Sequence, residues 1–218
     1  MSTFHTDIEQ YDDSWWELRR GRFTGSTADK IITPTGRESS QYKAEIGRLI
    51  AEKMGIQDVE RDNFSSYWMD RGSEMEQEAR AWLAVETGQV IQEIGFVSMG
   101  QHCGTSPDGL IRLDPFVDRG GRDRFKLNVP CEIKVPKPGT HIQWLLDGVL
   151  PQTHKAQVHF HMICCEAPYA YFMSYHPEVE PLCIKVERDD YTLALYDLVQ
   201  KAVATLQVAS VTVTGEEI

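Results

Sequence analysis

No apolar run in this 218-residue chain is long enough to cross a bilayer. A membrane-spanning helix needs about 20 consecutive, mostly apolar residues. The opening stretch MSTFHTDIEQYDD is polar and lacks the apolar centre of a secretory signal peptide. We therefore expect a cytoplasmic protein with no membrane partner.

Cysteine is scarce, and its spacing matches no familiar metal-binding pattern. The chain has five cysteines, with neither a C-x-x-C pair nor a paired Cys/His spacing. This argues against structural zinc and against an iron–sulfur cluster, which needs a set of thiolate ligands. We expect reduced and mostly buried thiols at Cys103, Cys131, Cys164, Cys165 and Cys183.

Basic residues are fewer than acidic ones. Lys and Arg number 22 against 33 Asp and Glu, so the formal net charge is −11. Because Lys and Arg supply most of the affinity for phosphate backbones, this balance argues against broad, nonspecific attraction to nucleic acid. Net charge does not describe local charge, however, and carboxylates gathered at a metal site add negative charge that bound cations offset.

The remaining composition is that of an ordinary globular protein, with 41% hydrophobic and 25% charged residues. No repeat, low-complexity tract or Pro/Ser-rich linker divides the chain. A chain of this length forms one large domain or at most two small ones. We predict a single domain over residues 1–218, with residues 1–13 and 208–218 as loosely ordered ends.

The hydrophobic periodicity changes along the chain between helical and strand patterns. Apolar residues at helical spacing predict helices over 41–55, 73–88, 152–165 and 191–206. Short runs of β-branched, aromatic and apolar residues predict strands over 90–98, 109–114, 129–135, 168–175 and 182–187. The charged stretch 115–130, with its Gly-Gly pair, predicts a hairpin loop. This order predicts an α/β (mixed α+β) fold, with a central mixed β-sheet flanked by helices.

The predicted strand CEIKV carries an acid and a base among apolar residues. Successive side chains of a strand alternate between its faces, so Glu132 and Lys134 share one face. Cys131, Ile133 and Val135 share the other face, which is apolar. One interpretation is a surface strand with an ion pair, which contributes well under about 1 kcal/mol. The other is the catalytic strand of a metal-dependent nuclease.

A second acid lies upstream in SPDGL, where Asp108 precedes Gly109 at the entrance to a predicted strand. Pro-Asp-Gly by itself is an ordinary turn signal. Together with Glu132 and Lys134 on the next predicted strand, however, it forms the pattern PD…ExK. Carboxylates on adjacent strands offer the hard oxygen ligands that Mg²⁺ prefers.

Phosphodiester hydrolysis explains these residue types. A cation polarises the phosphate and lowers the pKa of a bound water, and a second cation stabilises the leaving oxygen. Asp108 and Glu132 would be metal ligands, together with the backbone carbonyl of Ile133. Lys134 would orient the attacking water or stabilise developing negative charge.

The chain resembles the phage lambda exonuclease group of PD-(D/E)xK nucleases, the YqaJ-type viral recombinases, from about residue 14 to about residue 200. Five segments carry the resemblance in the family's order: WWELRRGRFTGS (15–26), RGSEMEQEA (71–79), CGTSPDGL (103–110), CEIKVP (131–136) and HKAQVHFHM (154–162). The resemblance implies a restriction-endonuclease-like core.

The resemblance also implies a set of catalytic and metal-binding residues. Asp108 and Glu132 match the family's metal ligands, Lys134 matches its catalytic lysine, and Glu76 matches an additional metal-site glutamate on a helix. Gln157 matches a glutamine that closes the active site. Glu76 has an alternative role, because Ser73 and Glu76 also form the S-x-x-E pattern of a helix capping box. Gln157 is alternatively an ordinary polar helix residue.

Further matches concern the end of the DNA. Arg19, Ser26 and Ser106 match residues that bind its 5′-phosphate, and an arginine fork suits phosphate oxygens. The alternatives are a solvated basic loop and ordinary turn serines. Met69 matches an apolar wedge that separates the strands, or else it packs in the core. His154 stands where the best-known relative has a tyrosine, and His154, His159 and His161 are alternatively structural.

The resemblance implies a Mg²⁺-dependent 5′-to-3′ exonuclease acting on double-stranded DNA ends. It would release mononucleotides and leave a 3′ single-stranded tail for phage homologous recombination by strand annealing. Each site would hold one or two Mg²⁺, with Mn²⁺ as a substitute. The implied partners are two further copies in a homotrimer ring and a phage annealing protein, in the cytoplasm of a bacterial host. The alternatives are an end-independent endonuclease of the same fold and a noncatalytic DNA-end-binding adaptor.

Overall fold

The computed structural model describes residues 2–56, 66–117, 120, 121 and 123–215, with the side chains of residues 66–74, 123 and 124 excepted. Its strands are β1 (Ser2–His5), β2 (Phe23–Thr24), β3 (Ile91–Gln92), β4 (Phe96–Met99), β5 (Cys103–Thr105), β6 (Gly109–Val117), β7 (Asp123–Lys134), β8 (Tyr169–His176) and β9 (Val179–Glu187). Its helices are α1 (Asp13–Arg19), α2 (Tyr42–Lys53), α3 (Ser66–Thr87), α4 (Pro138–Asp147), α5 (Gln152–Cys164) and α6 (Asp190–Thr214), with a 3₁₀ helix at Gly25–Lys30.

Strand β7 lies at the centre of the larger sheet, whose order is β3-β6-β7-β8-β9. It pairs antiparallel with β6 and parallel with β8, while β8 and β9 are antiparallel. A smaller sheet has the order β1-β4-β5-β2. The predicted fold class, a mixed sheet flanked by helices, is confirmed. No described helix is long and apolar enough to span a bilayer.

The two faces of β7 pack against different helices. Cys131 and Ile133 are buried against Ala79 and Leu83 of α3. The opposite face carries Glu132 and points towards α5, where it meets a histidine of that helix. The alternation of an apolar and a charged face in CEIKV is therefore confirmed, but both faces are covered, and Glu132 is not a surface residue.

Helix α5 is buried on almost every side. Its buried residues run without interruption from Val158 to Cys164, and it contacts both sheets, the 3₁₀ helix and α6. Phe160 and Ile163 belong to the main apolar core with Leu49 of α2 and Leu195 of α6. A helix surrounded in this way can direct polar side chains into a protected interior, and that is how the fold supplies buried histidines.

Two predictions about the strands are wrong. The predicted loop 115–130 is mostly strand. Strand β6 runs to Val117 and β7 begins at Asp123, which pairs with Val117. This part of the hairpin extends into solvent, so its polar residues do not interrupt the backbone pairing. The predicted strand 90–98 divides into β3 and β4, which belong to different sheets. Gly95 lies at the break, where a Cβ would approach the carbonyl oxygen of Ile8 to 2.2 Å.

The chain ends carry regular structure, although the sequence predicts none there. Residues 2–5 form β1 by pairing with β4, and α6 continues to Thr214 with Ser210 buried. Short polar strands such as β1 give little hydrophobic signal because backbone pairing stabilises them. The predicted thiol state is confirmed, since all five cysteines are free and four of them are buried.

The start of α6 is tied to α5 through a buried histidine. Asp189 caps α6 by accepting a hydrogen bond from the Thr192 N–H at 3.1 Å. The Thr192 hydroxyl in turn lies 2.7 Å from Nδ1 of His159, which is 2% exposed. Burial lowers the pKa of His159 to about 4, although the charge of Asp189 acts in the opposite direction.

This lowered pKa predicts destabilisation by acid. Between its ordinary value near 6.5 and about 4, the unfolded chain binds a proton at His159 that the folded chain does not, so the free energy of unfolding decreases as the pH falls. Between pH 7.5 and pH 5, we expect the free energy of unfolding to decrease by on the order of 2 kcal/mol less in His159→Asn than in the wild type. Chemical denaturation across this range measures it, and parallel pH profiles for the two proteins would contradict the assignment.

Candidate active site

The hydrogen bonds of Asp108 link it to β7. The Asp108 N–H donates to the Cys131 carbonyl at 3.0 Å, and the Ile133 N–H donates to Oδ2 of Asp108 at 2.6 Å. The glycine after it allows a close approach, because a Cβ on Gly109 would lie 2.4 Å from Cγ2 of Ile91. Pro-Asp-Gly is therefore not an ordinary turn here, since it holds the aspartate against β7 with one carboxylate oxygen anchored.

Glu132 is an almost fully buried carboxylate, with a side chain 1% exposed. Its Oε1 contacts the ammonium of Lys134, and its Oε2 accepts a hydrogen bond from Nε2 of His161 at 2.6 Å. Burial by itself would raise the pKa of Glu132, but the charge of Lys134 and the bond from His161 outweigh it and hold the pKa well below its usual range. Glu132 is therefore ionised.

The charges around β7 affect their neighbours in opposite ways. Burial and the charge of Glu132 raise the pKa of Asp108 well above its ordinary value, against the opposing effect of Lys134. Burial alone would lower the pKa of Lys134, but Glu132 and Asp108 together raise it above its ordinary value. The site thus holds a protonated lysine paired with Glu132, beside a second carboxyl group, Asp108, whose ionisation its surroundings oppose.

His161 completes a chain of hydrogen bonds behind Glu132 that sequence reasoning assigned no role. Its Nδ1 lies 2.5 Å from the hydroxyl of Thr105 on β5, and both side chains are buried. One signal was present in the sequence: Gln157 and His161 are four residues apart, which places them on one face of a helix. Nothing in the sequence showed that this face meets Glu132.

Glu76 lies on α3 and is held by Arg80. Nη2 of Arg80 donates to Oε1 of Glu76 at 3.0 Å, and its Nε donates to the Asp108 carbonyl at 3.1 Å. Nη1 of Arg80 also contacts Glu93. The capping-box alternative is wrong, because α3 already begins at Ser66 and Ser73 is inside the helix. Arg80, which the motif did not include, thus connects Glu76 to the backbone at Asp108.

Arg19, Ser26 and Ser106, the three residues that the family resemblance assigns to the 5′-phosphate, lie within hydrogen-bonding distance of one another through Arg19. Nη1 of Arg19 donates to the Ser106 hydroxyl oxygen at 3.2 Å, and Nη2 donates to that of Ser26 at 3.0 Å. Trp15 adds a contact that the sequence did not predict, since its Nε1 donates to Ser106 at 2.8 Å. The Arg19 guanidinium also lies over the Trp15 ring, 4.3 Å from its centroid. Because Ser106 accepts two hydrogen bonds, its own O–H remains to be donated.

A cavity of about 200 Å³ adjoins these residues, lined by Gly25, Ser26, Asp29, Thr153, His154 and Gln157. Gln157 and Ser26 therefore face a common space. His154 packs against Phe172, with ring centroids 5.6 Å apart, and against Trp144 at 5.3 Å. Burial and then the charge of Lys134 lower the pKa of His154 to about 4, so this ring is neutral. Met69 lies on α3, and its side chain is outside the described part of the chain.

The side chains around β7 fit a hard divalent cation in their chemistry. Asp108 Oδ2 and Glu132 Oε2 are each held by a hydrogen bond from the protein, and Mg²⁺ takes carboxylate oxygens as ligands. The other oxygen of Glu132 contacts the Lys134 ammonium, which a cation would have to displace. Among the described residues no group of three acidic, histidine or cysteine side chains already stands in a metal-binding arrangement. Glu76, which is bound to Arg80, would have to turn to become a third ligand.

Comparisons with known proteins agree with this architecture. The family model of the YqaJ-like viral recombinase domain matches residues 14–168. An alkaline exonuclease from Laribacter hongkongensis, LHK-Exo, is 25% identical with a TM-score of 0.71, over 91% of this chain and 94% of that one. Its complex with dAMP gives 26% identity and a TM-score of 0.70 over the same shares. No curated protein matches the chain.

A more distant solved structure shows the fold alone. The phage related exonuclease from Haemophilus somnus 129PT is 12% identical, with a TM-score of 0.54, over 89% of this chain and 95% of that one. The resemblance inferred from the five sequence segments is confirmed by the family match, which covers all five of them.

The raised pKa of Asp108 makes a prediction about stability. An acid whose folded pKa is raised costs stability once the pH exceeds its ordinary value, because the unfolded carboxyl ionises more readily. We expect Asp108→Asn to increase the free energy of unfolding by on the order of 1 kcal/mol at pH 8 in EDTA, since the amide avoids the buried charge and still accepts from Ile133. Denaturant unfolding measures the change.

A matched control is available on α4. Asp147 is exposed, and Asp147→Asn should change the free energy of unfolding by less than about 0.5 kcal/mol. If Asp108→Asn is as stable as the Asp147→Asn control or less stable, the buried charge of Asp108 does not cost stability in the metal-free protein.

Proposed function

Because the chain belongs to the YqaJ-like viral recombinase family, we propose that it is a DNA exonuclease that uses divalent cations to hydrolyse the phosphodiester bond. The arrangement around β7 carries this proposal. Asp108 is held through Oδ2 by the Ile133 N–H, and Oε1 of Glu132 lies against the protonated Lys134. Carboxylates with a neighbouring lysine are the groups that metal-assisted hydrolysis requires.

The residues around β7 would have two roles, metal binding and stabilisation of the reacting phosphate. Asp108, Glu132 and the backbone carbonyl of Ile133 would hold one or two Mg²⁺, or Mn²⁺ in its place, with Glu76 as a further ligand. The cation supplies Lewis-acid polarisation of the phosphate and a more acidic water. Lys134 places an ammonium where the attacking water is oriented and where negative charge develops on the phosphate.

The proposed direction of degradation comes from the family resemblance, and the group formed by Arg19, Ser26 and Ser106 supports it. We infer that it binds the 5′-phosphate of a duplex end, since a guanidinium with two hydroxyls offers several donors to one phosphate. Gln157 lines the adjoining cavity and would close the site over the terminal nucleotide. Hydrolysis beside this pocket proceeds 5′-to-3′, releases mononucleotides and leaves a 3′ single-stranded tail. A complex of LHK-Exo with dAMP, a nucleoside monophosphate, is in keeping with such a product.

The proposal extends to the assembly. A homotrimer ring that encloses the duplex reconciles DNA binding with a net charge of −11, because topological enclosure reduces the need for broad electrostatic attraction. The exposed 3′ tail would be the substrate of a phage single-strand annealing protein in the host cytoplasm, and Met69 would act at the point where the strands separate.

We expect Lys134→Ala to reduce hydrolysis about 100-fold or more, because a preorganised charge at the reacting phosphate is lost. The measurement is nucleotide release from a linear blunt duplex with Mg²⁺, beside a closed circular duplex. Lys185→Ala is the matched control, since Lys185 is half-exposed on β9 and pairs with Glu187. Cleavage of the circle would indicate an endonuclease, and end binding without cleavage by the wild type would indicate an adaptor.

We expect Arg19→Gln to remove the preference for phosphorylated ends. Hydrogen bonds to charged groups are worth about 1.5–3 kcal/mol, so digestion of a 5′-phosphorylated duplex should slow about 10- to 100-fold while digestion of a 5′-hydroxyl duplex changes little. The neighbouring Arg20 pairs with the exposed Glu17 at 2.8 Å, and Arg20→Gln is the control. An equal loss on both duplexes would place Arg19 outside the phosphate pocket.

A further inference from the structure

The two oxygens of Glu132 are held by different partners, His161 at Oε2 and Lys134 at Oε1. His161 Nε2 donates to Oε2 at 2.6 Å from within the protein, and both side chains are 1% exposed. Oε1 lies on the side of Lys134. The Lys134 side chain is 30% exposed, whereas that of Glu132 is buried. A cation arriving from the side of Lys134 would therefore take Oε1 from the ammonium, while Oε2 stays bound to His161.

The His161 ring has a fixed orientation. A carboxylate only accepts hydrogen bonds, so Nε2 of His161 must be the donor whether or not the ring is charged. Thr105 holds the other ring nitrogen at 2.5 Å, either as a donor to a neutral ring or as an acceptor from a charged one. The relay Glu132–His161–Thr105 thus has the same geometry in either protonation state.

Gly25 closes the space behind this relay. A Cβ on Gly25 would lie 2.8 Å from the Thr105 hydroxyl oxygen and 2.9 Å from Cε1 of His161. The 3₁₀ helix can pack there only because residue 25 has no side chain. The backbone of Gly25 consequently lies close against the ring and the hydroxyl.

We propose that His161 is a positioning residue that makes Glu132 a one-oxygen ligand and thereby selects small octahedral cations over Ca²⁺. This inference rests on the proposed metal site. Mg²⁺ and Mn²⁺ suit an octahedral set of single oxygens, whereas Ca²⁺ takes six to eight oxygens and often binds a carboxylate through both. With Oε2 occupied by His161, the two-oxygen mode is closed. The residue acts through Glu132 and does not touch the cation or the DNA.

The test measures cation binding without DNA, independently of catalysis. Electron paramagnetic resonance reports bound Mn²⁺, and displacement of Mn²⁺ reports Ca²⁺. We expect His161→Leu to weaken Mn²⁺ binding about tenfold or more, the usual effect of losing a hydrogen bond to a metal ligand. Ca²⁺ binding should change less than about threefold, because the freed Oε2 offers Ca²⁺ a second contact. The dissociation constant for Ca²⁺ divided by that for Mn²⁺ therefore falls.

Two further variants separate positioning from folding. The amide nitrogen of His161→Gln reaches the position of Nε2 and should restore Mn²⁺ affinity to within about threefold of wild type. His159→Leu is the matched control, since His159 lies on the same helix, is 2% exposed and bonds a threonine hydroxyl at 2.7 Å through Nδ1. It should affect thermal stability and leave both cation affinities unchanged.

The outcomes distinguish this inference from the proposed function. Wild-type protein that binds no Mn²⁺ would overturn the metal site and the inference together. Wild-type binding with an unchanged affinity ratio in folded His161→Leu would overturn the inference alone. If His161→Leu does not fold, Thr105→Val decides: lower Mn²⁺ affinity, restored by Thr105→Ser, supports positioning, and unchanged affinity overturns it.

Discussion

The burial of one ionised carboxylate is the constraint on which the site depends. Glu132 lies on a central strand beneath α5, where an unpaired charge would be expensive. Lys134 on the same face and His161 from the helix each take one of its oxygens, so the charge is retained without solvent. The absence of a side chain at Gly25 lets the 3₁₀ helix pack directly behind His161.

Without a bound cation, the charge of Glu132 makes the ionisation of the neighbouring carboxyl group unfavourable. Asp108 is drawn towards β7 by the Ile133 N–H, and Glu132 and burial both raise its pKa. Arg80 neutralises Glu76 rather than Asp108, since it reaches Asp108 only at the carbonyl. Perturbed carboxylates next to a lysine are typical of functional sites, where stability is exchanged for reactivity.

The two interpretations of CEIKV are not exclusive. Glu132 and Lys134 do form an ion pair, but a buried one, and the weak stabilisation typical of surface pairs does not apply to it. Periodicity predicted the two faces of this strand correctly, because alternation is a local property of the backbone. It could not show that both faces are covered, because burial depends on which helices pack there.

Local patterns in the sequence determined the main helices, the central strands and the family, since helical and strand periods and contiguous motifs are written over short distances. Tertiary structure alone decided the contact of His161 with Thr105, of Trp15 with Ser106 and of Arg80 with Asp108, because the partners lie far apart in the chain. Tertiary structure also decided where β6 ends and β7 begins, since the two strands stay paired beyond the residues with a hydrophobic pattern. Hydrogen bonds between distant residues form only when packing brings the elements together, so no spacing in the sequence records them.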